Sequence, residues 1–355
     1  RALTAHRVDR PVTLMHVCGT HEQAIARFGL RSVLPPGLDL VMGPGCPVCV
    51  TSAAEIDAAV DLTRRGVRVA TYGDMIRVPG TTLSLADAQT EGGRVELVYG
   101  VDQAVELARA EPETPMVFFA TGFETTAVTT AAALLAGPPD NFFVYSAHKY
   151  VPPAMEVVAA MPDTRVEGFL AAGHAATITG FELFEPMAKA WGKPIVIMGF
   201  EPLDILAALV RAVELVVSGT PTVENLFPRC VTGPGNGRAL DALWQVFELT
   251  RGHWRGIADL DAADLDLRAE FARWDARVRF DLPRQLGDGT AHAACPVCPP
   301  QQRCGDILVG NARPDDCPLF GKACTPDSPV GASMVSSEGM CRIWFQYGGR
   351  PELGP

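Results

Sequence analysis

The sequence contains no run of about 18 apolar residues, so it is read as having no membrane span. It shows no secretory signal, and its first residue is Arg1 and not Met, so part of the N-terminus is expected to be missing. It has no G-x-G-x-x-G fingerprint and no Walker A string, which argues against a conventional nucleotide site. It lacks a basic excess: the formal net charge is −11. A nucleic-acid protein needs a basic face, so that class is excluded at the level of the whole chain. A cytoplasmic protein is expected.

What is present is cysteine, ten residues in a chain of 355. The length allows two or three domains with a sizeable core, and 48% hydrophobic residues is normal for a globular protein. A chain this large does not need a disulfide framework. Its cysteines also cluster by spacing, which points to metal or redox chemistry. Cys230 stands apart and is expected to be a small buried residue.

Short apolar runs at 12–17, 38–42, 67–72 and 95–99 read as strands, separated by helical patterns that include 24–28 and 52–62. The pattern restarts near Pro115, with strands at 116–120, 142–146, 168–171 and 194–198 and helices at 127–135 and 203–217. Strand alternating with helix indicates a largely parallel sheet. Both openings read as strand, glycine loop with a glutamate, helix, an echo that every doubly wound domain shares. The fold class is therefore α/β: two related Rossmann-like domains, at 1–112 and 113–220, and a smaller C-terminal domain at 221–355. In that last part 244–255 and 265–277 read as polar helices. From Asp281 on, Pro, Gly and Cys dominate, so the segment needs a covalent or metal staple.

Three cysteine constellations carry chemistry. Cys46-Pro47-Val48-Cys49 sits between a strand and a helix. The first turn of a helix stabilises a thiolate, so the pair reads as a redox-active dithiol, or as half of a zinc site completed by Cys295 and Cys298. Cys18-Gly19-Thr20-His21-Glu22 follows another strand, at the end where open α/β sheets bind ligands. Cys18 and His21 suit iron or zinc, with Glu22 placed to orient His21. The third set is Cys304-x12-Cys317-x6-Cys324-x16-Cys341, which can hold a [4Fe–4S] cluster or zinc, with Cys295 and Cys298 as possible extra ligands. Polar loop residues complete a cleft expected between the two α/β units: Asp74, Arg77, Glu124, Thr125, Thr126, His148, His174, Glu201 and Asp204. Any of them taken singly reads equally as a helix cap or surface group.

The strings CGTHE (18–22), GPGCPVCV (43–50), YGDMIRVPG (72–80), GFETT (122–126), GFEPLDIL (199–206), RCGDILVG (303–310), DCPLFGKAC (316–324) and VSSEGMC (335–341) resemble the HypD family of hydrogenase maturation factors. The resemblance spans about Pro11 to Tyr347. It implies two related α/β domains and a C-terminal domain with a [4Fe–4S] cluster. It implies a scaffold for the Fe(CN)2CO group of [NiFe] hydrogenases, working with a HypC-type chaperone and a HypE-type cyanide donor. On that resemblance Cys18 would ligate the iron jointly with the chaperone's N-terminal cysteine, with His21 beside it. Cys46 and Cys49 would be an exchangeable dithiol in electronic contact with the cluster, and Cys304, Cys317, Cys324 and Cys341 would hold it. Two other functions remain open from the residues alone: a cluster-dependent thiol–disulfide reductase and a zinc-stapled binding module.

Overall fold

The computed structural model describes residues 10–284, 286, 299 and 301–349. The Cys295–Cys298 pair of the sequence reading lies outside them. Two parallel sheets organise the chain. The first contains β1 (Val12–His16), β2 (Leu38–Met42), β7 (Val166–Ala172), β8 (Ile195–Met198) and β9 (Val223–Asn225), in the order β2-β1-β7-β8-β9. The second contains β3 (Arg68–Thr71), β4 (Val95–Leu97), β5 (Met116–Gly122) and β6 (Phe142–His148), in the order β4-β3-β5-β6. All five residues of β1 and all seven of β5 and β6 are buried, as expected of strands covered by helices on both faces.

The expected boundary at 112 does not separate these sheets. β3 and β4 precede it, yet β3 pairs with β5 in the register Val69↔Val117. β7 and β8 follow it, yet β7 pairs with β1, with Met15 opposite Phe169. The chain starts one sheet, leaves to build the other and returns. The two similar openings still lie in different sheets, β1 in the first and β5 in the second.

A second correction concerns 244–277. Most of it is an antiparallel hairpin, β10 (Phe247–Trp254) and β11 (Ala258–Leu267), and not two helices. The strand alternation is broken by a register shift between Thr250 and Gly252, which made the apolar spacing look helical. Gly252 is required there, because a Cβ would fall on the Asp264 carboxylate. Cys230 is exposed and not buried: the turn it closes buries Phe227 and Val231.

The hairpin is tied to the layer of the second sheet by a buried ion cluster. Lys149, fully buried after β6, donates to Glu55 Oε1 and Asp264 Oδ2, both at 2.9 Å. Glu55 also closes the capping box of the helix Ala53–Arg64 with Ser52. Removing one member leaves buried charge uncompensated. Lys149→Met is therefore expected to destabilise the fold by about 3–5 kcal/mol. A urea-unfolding midpoint equal to the wild type would show that the cluster contributes nothing.

The C-terminal segment is not set apart from the α/β layers. Its helices Ala332–Val335 and Met340–Tyr347 pack on the helices Pro47–Val50 and Gly19–Arg27 respectively. Arg313 pairs with Asp39 of β2, and Arg77 donates to the Asp327 carbonyl at 2.8 Å. Asp74 accepts from the Ser336 hydroxyl and from the Ser337 amide and hydroxyl. One continuous apolar core runs from Met15 to Trp344.

Candidate functional site

The carboxyl ends of both sheets face one cavity of about 100 Å³. From the first sheet come Cys18 after β1, Gly45 and Pro47 after β2, and His174 after β7. From the second come Phe123, Glu124, Thr125 and Thr126 after β5, and Val151 after β6. The C-terminal segment adds Glu338. This is where a parallel sheet leaves its helix N-termini and loops open to a ligand.

Glycine makes the convergence possible. The Gly43-Pro44-Gly45 turn lies against the start of the Cys18 loop, and Gly19 N–H donates to Gly45 O at 3.1 Å. A Cβ on Gly45 would coincide with the backbone of Val17 and Cys18. One on Gly19 would strike Glu338. Both positions therefore accept only glycine without moving the cavity wall.

Cys18 caps the helix Gly19–Arg27 and is 3% exposed. Burial pushes its thiol up to about 12, against the pull of the His21 and Thr20 amides. It is held as a neutral thiol that a bound cation would deprotonate. His21 is fully buried, its Nε2 2.9 Å from the Gly199 carbonyl and its ring stacked on Phe200 at 4.5 Å. Burial, helped by the neighbouring His16, holds its pKa well below the ordinary histidine value. Its Nδ1 is buried without a partner.

Glu22 does not orient His21, as expected from spacing. It turns away, taking two hydrogen bonds from Arg31 (2.7 and 2.6 Å), one from Trp344 Nε1 (2.7 Å) and a contact with His16 Nε2 (2.8 Å). Burial alone would raise its carboxyl, but Arg31 and His16 hold it far below the usual range. The helix periodicity explains the miss: adjacent positions 21 and 22 project in different directions. Glu22 joins the C-terminal helix to the Cys18 helix instead.

Glu124 is a different kind of carboxyl. It is 1% exposed, and its Oε1 accepts the Val151 amide at 2.8 Å. Its Oε2 is buried with no partner. Burial pushes its pKa up to about 7, with the Val151 and Glu124 amides pulling the other way. A raised carboxyl stabilises the fold fully below the unfolded value near 4.3 and loses that contribution as pH rises through about 7. Wild type should therefore lose about 3 kcal/mol relative to Glu124→Gln between pH 4.5 and 7.5. Urea titrations of both proteins at the two pH values measure it; a constant difference would contradict it.

Other expected site residues divide clearly. Thr125 and His174 line the cavity, His174 at its exposed rim 5.3 Å from the Phe200 ring. Asp74 and Arg77 latch the C-terminal segment as described. Glu201 is exposed and caps the helix Pro202–Ser218, and Asp204 pairs with Arg229. His148 is buried against Thr130 at 2.9 Å, away from the cavity lining. Glu338 was not singled out from sequence. It is half-buried and reaches Thr20 Oγ1 at 3.5 Å; burial and the Asp74 charge raise its pKa. The available signal was Gly19, whose missing side chain leaves room for it.

Cys46 and Cys49 form a disulfide with 5.3 Å between Cα atoms, and they are 0% and 2% exposed. Pro47, between them, lines the cavity. The helix that carries them packs on Ala332–Val335. Met334 of that helix lines a second pocket, which gathers Cys304, Cys317, Cys324 and Cys341 with Ile307, Leu319, Phe320 and Val330. Burial pushes Cys304 up to about 12 and Cys341 well above the ordinary thiol value, each reinforced by the neighbouring thiols. Gln302 Nε2 donates to Cys304 Sγ at 2.8 Å and the Val330 amide to Cys324 Sγ at 3.4 Å. A Cβ on Gly331 would meet Cys304 Sγ. Among the described residues no three His, Cys, Asp or Glu side chains are grouped to hold a single metal ion. No helix among them is long and apolar enough to cross a membrane.

Known proteins share this chain along nearly its whole length. The family model described as the hydrogenase formation hypA family, HypD, matches residues 1–348. The hydrogenase maturation factor HypD of Azotobacter vinelandii is 41% identical over 350 residues, 96% of this chain and 90% of that one. Its Escherichia coli K12 counterpart is 37% identical over 349 residues, 97% and 91% of the two chains. That of Cupriavidus necator H16 is 40% identical over 355 residues, 96% and 91%. With its interleaved sheets, its three cysteine sets and this match from end to end, the chain belongs to the HypD family of hydrogenase maturation proteins.

Proposed function

We propose that the protein is the scaffold on which the Fe(CN)2CO group of a [NiFe] hydrogenase is assembled. The observation that carries the reading is the buried Cys18 thiol at a small cavity walled by both sheets and by the cysteine-bearing C-terminal segment. Iron is the cargo. A thiolate is a soft anchor suited to iron, and the low-spin ferrous state that binds cyanide and carbon monoxide favours it. His21, neutral and with Nδ1 free of partners, stands three residues on in the same helix turn and can assist. A HypC-type chaperone would dock over Cys18 and supply a second thiolate, and a HypE-type protein would deliver cyanide.

Cys304, Cys317, Cys324 and Cys341 fit a [4Fe–4S] cluster: four thiols ring one largely apolar pocket, with N–H donors aimed at two of the sulfurs. Such a cluster supplies one-electron redox chemistry. Cys46 and Cys49 are proposed as the exchangeable dithiol. They sit on a helix that touches Ala332–Val335 on one side, while Pro47 reaches the cavity. Opening or closing their bond is therefore felt where Cys18 works. Because both sulfur-bearing residues are almost fully buried, they are out of reach of generic disulfide substrates, which weighs against a free-standing reductase.

The test is anaerobic purification after co-production with the two partners, followed by iron and sulfide analysis and infrared spectroscopy. Stretching bands of iron-bound cyanide and carbon monoxide are expected. A protein that holds iron and sulfide yet never shows those bands would overturn the scaffold reading.

A further inference from the structure

We propose that Glu124 is the positioning residue that sorts the ligands taken up at Cys18, by donating a hydrogen bond from Oε2 to the outer nitrogen of an iron-bound cyanide. This rests on the scaffold reading and adds to it a residue and a selectivity.

The first observation is the unpaired oxygen. Oε1 is occupied by the Val151 amide, whereas Oε2 is buried and has no partner among the described residues. Orphaned buried polar atoms are few in native proteins and call for a ligand or water. The second is the space. Glu124 and Cys18 line the same cavity of about 100 Å³, which has room for several molecules the size of water. That is room for a metal ion's diatomic ligands. The third is the absence of a cation from the wall. Among the described residues neither Lys nor Arg lines the cavity. The first residues of the helices Glu124–Leu135 and Val151–Ala160 are part of the wall, and helix N-termini favour negative charge.

Chemistry then assigns the role. A metal-bound cyanide keeps a basic lone pair on nitrogen, while the oxygen of metal-bound carbon monoxide is a poor acceptor. A donor that faces a bound ligand therefore favours cyanide over carbon monoxide at that position. A carboxylate would repel the anion; a neutral carboxyl accepts from Val151 through one oxygen and donates through the other. Burial lets the carboxyl keep that proton below about pH 7, the same device by which apolar sites turn a carboxylic acid into a hydrogen-bond donor, so the spectra are to be taken on the acid side of neutrality. Thr125 lines the cavity beside it, and Glu338 is already engaged with Thr20.

The experiment compares infrared spectra of the anaerobically purified, iron-loaded protein in H2O and in D2O after full exchange. Wild type should show at least one cyanide band that shifts in D2O, with the carbon monoxide band unmoved. Glu124→Gln keeps an acceptor for Val151 and a donor for the ligand, so the shift should survive in it. Glu124→Leu should lose the shift. Cyanide bands that ignore D2O in the wild type, or a shift that persists in Glu124→Leu, would overturn the assignment while leaving the scaffold intact. If Glu124→Leu does not fold, the wild-type comparison decides alone. Absence of all cyanide and carbon monoxide bands from wild type would instead sink the scaffold reading, and this inference with it.

Discussion

Cys18→Ala is expected to yield a folded protein with its cluster iron and sulfide intact and without any infrared band from iron-bound cyanide or carbon monoxide. The loss should be complete, because among the described residues that line the cavity Cys18 is the sole sulfur apart from Met155. Thioether is a poor substitute for thiolate as an anchor of low-spin iron. The structural cost should be small. Cys18 caps its helix without a side-chain hydrogen bond, and the change removes a single buried atom. The backbone bond from Gly19 to Gly45, which sets the loop, stays. Urea unfolding should therefore shift by only about 1–2 kcal/mol. Surviving cyanide bands in Cys18→Ala would place the iron elsewhere and overturn the role given to this thiol.

The reason such a variant can be named at all lies partly in the sequence. Strands such as 12–16 and 116–122 are short apolar runs, and the cysteine or glutamate that follows each one had to lie at a sheet's carboxyl end. That much is local. The pairing is not: β7 lies against β1 although about 150 residues separate them, and nothing in either strand says which neighbour it takes. The hairpin at 247–267 was hidden by an irregularity in its ladder, where Thr250 pairs with Asp264 but Gly252 pairs with Leu260. Glu338 was hidden because it sits in a loop-rich stretch with no periodicity, and its meaning depends on Gly19, some 320 residues earlier. Glu22 shows the converse. Its position in the motif was read correctly as important, but its partners, Arg31 and Trp344, are set by packing between two helices that the sequence does not place together.

Cys324→Ala should have a wider effect than Cys18→Ala, because it acts on the element that closes the cavity. Cys324 is buried in the pocket shared with Cys304, Cys317 and Cys341, and the segment around it is held by short turns and not by long helices or strands. A cluster bound to four thiols would supply much of that segment's folding free energy, as structural metals do in small irregular domains. The variant is expected to lose the brown chromophore and the cluster's iron and sulfide. Protease protection should then fall in the turns around the pocket, which lose their staple, while the segment stays tied to the body by the apolar packing of Met334, Met340 and Trp344 and by polar bonds of Asp74 with Ser336 and Ser337, Arg313 with Asp39 and Trp344 with Glu22. Glu338 travels with this segment, so one wall of the cavity loosens with it. Cyanide bands should accordingly weaken in Cys324→Ala even though Cys18 is untouched. The two variants separate the sites: Cys18→Ala removes the cargo and spares the cluster, and Cys324→Ala removes the cluster and impairs the cargo site through the wall. Unchanged iron and sulfide in Cys324→Ala would refute the cluster assignment. Loss of the cluster with full-strength cyanide bands would show that the cavity holds its shape without the C-terminal wall.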